Sequence, residues 1–404
     1  IMMKNILIDK SIKLLPKEEM LEVGQNFKSL SIGIPKESSL QEKRVALTPE
    51  SVELLINCGH KVYVEKDAGN FSNFCNEEYI KYGAVVTEKR DEIYSCDFVL
   101  KIEPPTESEI NFLSEKNVII SALQLNIHKK SFFDSINKKN ITAVSFEYLR
   151  DNEGKNSIVR SMSEIAGNTS VLIASECLSN INGGKGILLG GISGVISTNV
   201  VILGAGTVAE FAARSAAGLG ANITIFDNSI TKLKRLQNNL NIRVNTSSYT
   251  SRSLMKSLMR ADVVIGASSS HNYKQNGIYV SIDMVKMMKK GSVIVDVSID
   301  QGGCFETSRI TDHKSPTFEK FGVIHYCVPN IPSRVSRTAS ISISQVLTNL
   351  LIKIGKSGGV INHMKNNKGF RSGVFSYDGF TTNKYISEKF GLDYKDLGLI
   401  MPSF

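Results

Sequence analysis

A glycine-rich turn at residues 204–209 combines residue types that bind phosphate groups. Gly204 and Gly206 follow the apolar run 200–203, and Ala209 lies in a helix of small side chains. The first glycine permits a tight turn, the second lets a pyrophosphate approach the backbone, and the alanine lets the helix pack closely. The N-terminus of such a helix attracts phosphate. The predicted cofactor contacts are Gly204, Gly206, Thr207, Val208 and Ala209.

An acidic residue follows at the distance expected for a ribose contact. Asp227 ends the next apolar run, 222–226, about 20 residues after the glycines. A carboxylate at this place accepts hydrogen bonds from the ribose hydroxyls and repels a 2′-phosphate. The pattern therefore predicts NAD rather than NADP. The alternative is a glycine turn that only packs, next to an aspartate that only ends a strand.

Two further apolar runs, 262–267 and 292–298, share the direction of the first two. Ligands bind at the carboxyl ends of such parallel strands. This rule singles out Ser268 and the loop 300–303, which begins with Asp300. The alternative is that Asp300 only caps this loop.

The composition is that of ordinary globular proteins, with 42% hydrophobic and 22% charged residues. A length of 404 residues exceeds the usual size of one domain, so we expect two domains. The formal net charge of +9 would attract an anionic cofactor. Because the basic runs carry no recognisable nucleic-acid-binding motif, we expect no nucleic-acid partner.

The six cysteines show neither a CxxC pair nor a metal-ligand spacing, which predicts free thiols, no bound metal and a reducing cytoplasm. The longest apolar stretch, 183–206, is interrupted by glycines, Lys185 and polar residues, so we expect a soluble protein without a membrane partner. The first 30 residues mix lysines and glutamates with apolar positions, which is typical of a short amphipathic extension. No function is assigned to that extension.

Short apolar runs alternate with helix-length segments from residue 31 to about residue 150. This rhythm indicates βα units and a largely parallel sheet. A helical stretch at 161–178 leads from there into the dinucleotide motif, so we place a domain junction near residue 157. The predicted fold class is α/β, with two doubly wound domains.

Five segments spread along nearly the whole chain resemble the alanine dehydrogenase / nicotinamide-nucleotide transhydrogenase alpha-subunit family. The likeness is closer to the dehydrogenases, because the loop that begins at Asp300 matches theirs. The segments are 34–37 (IPKE), 44–49 (RVALTP), 162–167 (MSEIAG), 300–306 (DQGGCFE) and 326–332 (YCVPNIP).

This resemblance implies a Rossmann NAD-binding domain inserted into a discontinuous substrate domain, with the active site in the cleft between them. Mapped onto this sequence, the substrate domain covers 1–157 and 337–404, and the NAD-binding domain covers 158–336. The resemblance also implies a homo-oligomer, such as a hexamer.

The resemblance assigns roles to individual residues. Arg44 matches the arginine that grips the substrate carboxylate, a task suited to a planar, permanently charged fork. Asp300 matches the family's active-site aspartate beside the nicotinamide. Lys232 matches a lysine near the adenosine ribose, and Ser163 matches a serine near the nicotinamide, although both could be ordinary surface or cap residues. Asn330, in the last of the five segments, is a further expected cofactor contact.

Two positions depart from the family. Glu103 stands where alanine dehydrogenases carry a second substrate-binding lysine, and Gln124 stands where they carry a catalytic histidine. A glutamine amide cannot titrate near neutral pH, so Gln124 can only orient or hydrogen-bond. Residues two apart on a strand share a face, so Lys101 could reach the place of the missing lysine. His325 and His128 are weaker candidates for the missing acid/base, and a core histidine is the alternative interpretation of His325.

Three functions are compatible with these residues. We predict an NAD-dependent amino-acid dehydrogenase that interconverts L-alanine with pyruvate and ammonia. The alternatives are a transhydrogenase-like NAD(H)-binding subunit, which Gln124 favours, and a non-catalytic NAD(H) sensor. A saccharopine dehydrogenase-like activity would normally need the missing lysine and histidine as well.

Overall fold

The computed structural model describes residues 27–268 and 279–401, so most of the predicted N-terminal extension lies outside the described residues. The described strands form two sheets. The strands are β1 (Ser31–Ile34), β2 (Lys61–Glu65), β3 (Val85–Thr87), β4 (Phe98–Leu100), β5 (Val118–Ser121), β6 (Thr142–Ser145), β7 (Asn199–Leu203), β8 (Asn222–Phe226), β9 (Asn245–Ser247), β10 (Val263–Gly266), β11 (Val293–Asp296), β12 (Thr317–Lys320), β13 (Val323–Tyr326), β14 (Val374–Tyr377) and β15 (Phe380–Thr381).

The first sheet has eight strands in the order β15-β14-β6-β5-β4-β1-β2-β3. Strands β1 to β6 pair in parallel, and β14 pairs antiparallel with both β6 and β15. The buried strands β4 and β5 are continuous apolar runs, as expected where helices cover both faces of a sheet. The chain therefore returns to its first sheet after it has built the second.

The second sheet has seven strands in the order β12-β13-β11-β10-β7-β8-β9. All of its neighbours pair in parallel except β12 and β13. The strand order reverses between β7 and β10, and such a switch point opens a crevice at the carboxyl ends of the strands. The glycine-rich turn follows β7 at this point. The α/β class with two doubly wound sheets is confirmed.

Helices flank both sheets, and two long ones join them. Helix α6 (Ser157–Leu178) has 22 residues and leads from the first sheet to the second. Helix α11 (Ser336–Lys356) has 21 residues and leads back. The predicted domain boundaries at 157/158 and 336/337 fall beside the first residues of these two helices, and they stay predictions. The helices are α1 (Pro49–Asn57), α2 (Asn76–Lys81), α3 (Arg90–Tyr94), α4 (Glu107–Phe112), α5 (Lys130–Lys138), α6 (Ser157–Leu178), α7 (Thr207–Gly218), α8 (Ile230–Leu240), α9 (Ser251–Leu258), α10 (Ile282–Lys286), α11 (Ser336–Lys356), α12 (Val360–Asn366), α13 (Lys368–Arg371), α14 (Lys384–Phe390) and α15 (Leu397–Ile400).

Helix α6 packs directly on α7, the helix that begins at the glycine-rich turn. The contact is close because Gly167 has no side chain: a Cβ atom there would lie 2.5 Å from the carbonyl oxygen of Val208 and 2.9 Å from Cβ of Phe211. The alanines of α7 are buried in the same core as β7. Gly167 therefore helps to fix the position of the first turn of α7.

We expect Gly167→Ala to lower the free energy of unfolding by about 1–3 kcal/mol, because the added methyl group overpacks a backbone contact. The displaced first turn of α7 should also weaken NADH binding. Urea unfolding and a fluorescence titration with NADH measure the two effects. Gly218→Ala is the matched control, since a Cβ atom there meets nothing within 4 Å. If the two variants behaved alike, Gly167 would not position α7.

Candidate active site

The glycine-rich turn leaves room for a phosphate group at the N-terminus of α7. Gly204 has a φ of +106°, and a Cβ atom there would lie 2.5 Å from the carbonyl oxygen of Ala267. Gly206 is the N-cap residue, and a Cβ atom there would meet nothing within 4 Å. Thr207 and Val208 form the first helical turn, whose N–H groups have no partner within the helix. Open space next to free N–H donors suits a pyrophosphate.

Asp227 fastens this turn to the neighbouring strand. Its Oδ2 accepts the N–H of Ala205 at 2.8 Å, and its Oδ1 accepts the N–H of Ser229 at 2.7 Å. Arg235 donates to the carbonyl oxygen of Ala205 at 3.1 Å. Asp227 is thus held at the carboxyl end of β8, where its remaining lone pairs can accept ribose hydroxyls. Lys232 is exposed on the first turn of α8.

Asp300 lies at the carboxyl end of β11, in the short 3-10 helix Ile299–Gln301. The residue is exposed at the surface, yet the surrounding protein atoms partly desolvate its carboxyl group. This desolvation, together with the negative charges of Glu147 and Asp296, raises the pKa of Asp300 to about 6. Glu147 belongs to the first sheet's part of the chain, so Asp300 lies within electrostatic range of that part.

Arg44 is buried and bound by a carboxylate of its own segment. Its Nε donates to Oε1 of Glu42 at 2.7 Å, and its Nη2 donates to Oε2 at 2.5 Å. Its Nη1 lies 3.4 Å from the sulfur of Met162 on α6. Burial would raise the pKa of Glu42, but the charge of Arg44 holds it below its ordinary value. The guanidinium is therefore fixed on two sides and presents Nη1 to α6.

Glu42 also connects the two halves of the molecule. Its Oε2 accepts a hydrogen bond from Nδ2 of Asn330 at 2.7 Å. Asn330 precedes the 3-10 helix Ile331–Val335 and has a left-handed backbone, with a φ of +58°. One N–H of the Asn330 amide is thus bonded to a carboxylate on the substrate side. The second N–H, the amide oxygen and the backbone are left for the predicted cofactor contact.

Lys101 is almost completely buried, with 1% of its side chain exposed. Its Nζ lies 2.8 Å from Oε1 of Glu109 and 3.4 Å from Oε2 of Glu37. A lysine held between two carboxylates cannot extend to a substrate without leaving both uncompensated in a buried site. The structure therefore argues against the expectation that Lys101 replaces the missing family lysine, and it places Lys101 in an internal ion cluster.

The two carboxylates beside Lys101 titrate very differently. Burial would raise the pKa of Glu109, but Lys101 and the backbone N–H of Thr106 hold it at about 2. Burial of Glu37 outweighs the attraction of Lys101 and raises the pKa of Glu37 to about 7. Glu37 also accepts the N–H of Ile102 at 2.6 Å. The cluster thus holds one carboxylate that stays charged and one that takes up a proton near neutrality.

Gln124 lies in the loop that follows β5, with a left-handed backbone at φ +44°. Oε2 of Glu147 accepts the N–H of Leu123 at 2.7 Å and that of Gln124 at 3.2 Å. Nε2 of His128 bonds to the carbonyl oxygen of Leu123 at 2.7 Å. Glu147 therefore fixes the backbone at the family histidine position, and it also interacts with Asp300.

Two weaker candidates, Ser163 and His325, bond within their own surroundings. The hydroxyl of Ser163 donates to the carbonyl oxygen of Val159 at 2.8 Å, so in this conformation it is not directed at a nicotinamide. His325 is fully buried, bonds to Thr307 at 2.8 Å, and has its pKa lowered to about 4 by burial. The alternative interpretation of His325 as a core histidine fits these contacts better than an acid/base role.

Sequence reasoning missed the carboxylates that surround the candidate residues. Glu42 could have been found, because residues two apart in an extended segment share a face, and Glu42 stands two residues before Arg44. Glu147 gave no local pattern, because Leu123 and Gln124 lie more than 20 residues before it. Glu109 has a local signature, the capping box that begins at Thr106, but this pattern does not indicate an ion pair with Lys101.

Two family profiles match this chain. "Alanine dehydrogenase/PNT, N-terminal domain" matches residues 33–166, and "Alanine dehydrogenase/PNT, C-terminal domain" matches residues 170–384. The chain belongs to the alanine dehydrogenase/PNT family. The match covers both sheets and every residue of the candidate site.

Named relatives support this membership. The chain is 37% identical over 366 residues to an alanine dehydrogenase of Staphylococcus haemolyticus (strain JCSC1435), covering 90% of this chain and 97% of that protein. It is 36% identical over 369 residues to alanine dehydrogenase 2 of Staphylococcus aureus (strain Mu50 / ATCC 700699), covering 91% and 98%. Near-complete coverage of both proteins means that the likeness extends through both halves of the fold.

Solved structures agree. An L-alanine dehydrogenase structure superposes with a TM-score of 0.83 at 32% identity and covers 90% of this chain and 99% of its own. A transhydrogenase from Sinorhizobium meliloti superposes with a TM-score of 0.75 at 22% identity, covering 88% and 99%, which shows a shared fold. Within residues 27–268 and 279–401, no helix is long and apolar enough to cross a membrane.

The Glu37 carboxyl should make stability depend on pH. Its pKa in the folded chain, about 7, lies above its ordinary value of 4.5, so its contribution is full below pH 4.5 and is lost as pH rises through 7. Glu37→Gln should remove this decline, on the order of 3 kcal/mol, because Glu109 remains to neutralise Lys101. Urea unfolding from pH 4.5 to 8 measures it, with the exposed Glu115→Gln as control. If the free energy of unfolding of Glu37→Gln declined with pH as in the unmodified chain, the decline would not come from Glu37.

Asp227 should set the preference between NAD and NADP. We expect Asp227→Ser to lower the dissociation constant for NADPH relative to that for NADH by about tenfold or more. The reason is that the charge that repels a 2′-phosphate is removed. Fluorescence titration with each reduced cofactor gives the ratio. The exposed Asp283→Asn, on α10, is the control. Equal loss of affinity for both cofactors would mean that Asp227 only supports the glycine turn.

Proposed function

We propose that this chain is an NAD-dependent amino-acid dehydrogenase that converts L-alanine, NAD and water to pyruvate, ammonia and NADH. The carrying observation is that a buried arginine of the first part of the chain and an aspartate at the carboxyl end of β11 each interact with the opposite part of the chain, in a molecule whose second sheet holds a dinucleotide-type turn. Arg44 is joined to Asn330 through Glu42, and Asp300 interacts with Glu147. The named relatives at 36–37% identity support the same reaction.

The residues present fit NAD. Gly206 leaves open space at the N-terminus of α7 for the pyrophosphate, and Asp227 stands at the end of β8 for the ribose hydroxyls. Bound NAD supplies the hydride acceptor. The chain's own contribution is to hold the cofactor at the carboxyl edge of the second sheet, next to Asp300.

Substrate binding falls to Arg44. Two of its nitrogens are occupied by Glu42, and Nη1 is the one directed at Met162 on α6. A substrate carboxylate would therefore be bound through Nη1, and Glu42 would keep the guanidinium plane fixed. Asp300, with a pKa of about 6, is ionised in alkaline solution and can orient the substrate amine.

The same proposal includes an assembly and a location. The substrate domain comprises 1–157 and 337–404, and the NAD-binding domain comprises 158–336. The protein is a homo-oligomer, such as a hexamer, in the cytoplasm. Its partner is a small amino-acid or 2-oxo-acid substrate, and neither nucleic acid nor a membrane is involved.

A second candidate is an NAD(H)-binding protein without amino-acid turnover, either a transhydrogenase-like subunit or a sensor. One observation favours it: Gln124 has no titratable group, and the nearby Lys101 is held by Glu37 and Glu109. Such a protein would bind NADH in the same turn and would leave L-alanine unchanged.

NADH formation from L-alanine and NAD at alkaline pH separates the two candidates. We expect turnover in the unmodified chain and in the exposed control Asp283→Asn. Asp300→Asn and Arg44→Lys should each lower kcat/KM by about a hundredfold or more, because they remove a charge and a planar fork that act on the substrate. Tight NADH binding without turnover on any amino acid would reject the dehydrogenase and leave the second candidate.

A further inference from the structure

We propose that Ser333 is a positioning residue for substrate binding: its hydroxyl group holds the main chain on both sides of Glu42 and thereby fixes the guanidinium of Arg44. This inference rests on the proposed function, in which Arg44 binds the substrate carboxylate. It is carried by hydrogen bonds that join the segment around Arg44 to a turn of the second half of the chain.

The segment that carries Arg44 has no secondary structure of its own. Residues 42–45 lie in neither a helix nor a strand. The backbone N–H and C=O groups of such a segment need partners from other parts of the molecule. Those partners therefore decide where the segment lies, and with it the side chain of Arg44.

The hydroxyl group of Ser333 provides two of these partners. Its Oγ accepts the N–H of Lys43 at 2.9 Å and donates to the carbonyl oxygen of Gln41 at 2.8 Å. A serine hydroxyl can donate and accept at once, and both capacities are used here. Gln41 and Lys43 flank Glu42, so one oxygen atom holds the main chain on both sides of Glu42. Ser333 is 0% exposed, so solvent does not compete for these bonds.

The turn that presents this hydroxyl group belongs to the core of the second half of the chain. Ser333 lies in the 3-10 helix Ile331–Val335, and its N–H donates to the carbonyl oxygen of Asn330 at 2.9 Å. Ile331 is buried in the same core as β7 and β11. Pro332, the next residue, has a restricted φ. The position of the hydroxyl group is therefore set by the second sheet.

The same turn also binds the side chain of Glu42. Nδ2 of Asn330 donates to Oε2 of Glu42 at 2.7 Å, and the carboxylate of Glu42 makes its bidentate pair with Arg44. The turn thus holds Glu42 through its neighbouring peptide groups and through its carboxylate. A carboxylate that is fixed in both ways holds a guanidinium in one orientation.

Loss of the hydroxyl group should act on substrate binding more than on chemistry. Without it, the N–H of Lys43 and the carbonyl oxygen of Gln41 lose their partner, and the backbone around Glu42 shifts to find another. The shift turns the Glu42 carboxylate and the guanidinium paired with it. The carboxylate of L-alanine is unchanged in pyruvate, so Arg44 binds it equally in the ground state and in the transition state. Weaker uniform binding raises KM and leaves kcat nearly unchanged.

Ser333→Ala tests this assignment, with Ser336→Ala as the matched control. Ser336 is also buried, and its hydroxyl donates to the carbonyl oxygen of Phe71 instead of to the segment around Arg44. In Ser333→Ala we expect KM for L-alanine and for pyruvate to rise by about tenfold, with kcat and the KM for NAD unchanged. Ser336→Ala should match the unmodified chain. Unchanged KM values in Ser333→Ala, or an equal rise in both variants, would overturn the proposal.

A double variant shows whether Ser333 acts through Arg44. If it does, Ser333→Ala added to Arg44→Lys should lower kcat/KM little beyond Arg44→Lys alone, because the oriented guanidinium is already lost. If the two losses of kcat/KM multiply, Ser333 acts on the site in another way, and its assignment to Arg44 is wrong.

Hydrogen–deuterium exchange separates this inference from the proposed function, because it needs no turnover. Mass spectrometry follows the exchange in peptides that cover residues 41–48. The exchange there should be faster in Ser333→Ala, since the N–H of Lys43 has lost its acceptor, and unchanged in Ser336→Ala. If no amino acid yields NADH, the proposed function fails, while faster exchange still supports Ser333 as the residue that holds this segment. Unchanged exchange in Ser333→Ala would overturn the inference whether or not L-alanine is oxidised.

Discussion

The bidentate pair between Arg44 and Glu42 is the interaction on which the substrate side of this molecule depends. A guanidinium in a buried site must be matched by a carboxylate and by further hydrogen bonds, because its desolvation is otherwise very unfavourable. Glu42 meets this need and is itself completed by Asn330 from the second half of the fold. The segment around Arg44 is fastened as well, because the N–H groups of Val45 and Thr48 donate to serine hydroxyls of α11.

The cofactor side follows a different rule. There the backbone carries the chemistry, and side chains mainly hold the backbone in place. Asp227 fixes the glycine turn, and the absence of a side chain at Gly167 sets how closely α6 approaches α7. The substrate side relies instead on side-chain charges at short distances. The reaction requires both, since an amino acid held by charges must meet a cofactor held by N–H groups.

The sequence predicted the glycine turn and its strands well because their determinants are local, and the cofactor contacts there stay predictions. The glycine turn, its strand and Asp227 lie within 28 residues, and the order of apolar runs indicated the two doubly wound sheets. The substrate side was predicted less well because its determinants are distant in the sequence. Strand periodicity could place Lys101 on one face of the sheet. It could not show that Glu37, 64 residues earlier, contacts Lys101 there. Glu147, which contacts the backbone of Gln124, was missed for the same reason.

The hydrogen bond between Asn330 and Glu42 has a consequence for the order of events in a catalytic cycle. A rotation that separates Asn330 from Glu42 has to break this bond, and a hydrogen bond to a charged group contributes about 1.5–3 kcal/mol. This free energy favours the hydrogen-bonded arrangement over the separated one by about ten- to a hundredfold. The same bond fixes Glu42, and Glu42 aligns Arg44. Separation of Asn330 from Glu42 therefore also frees the carboxylate that aligns Arg44. Release of the product and movement of the two halves of the chain are coupled through this one carboxylate.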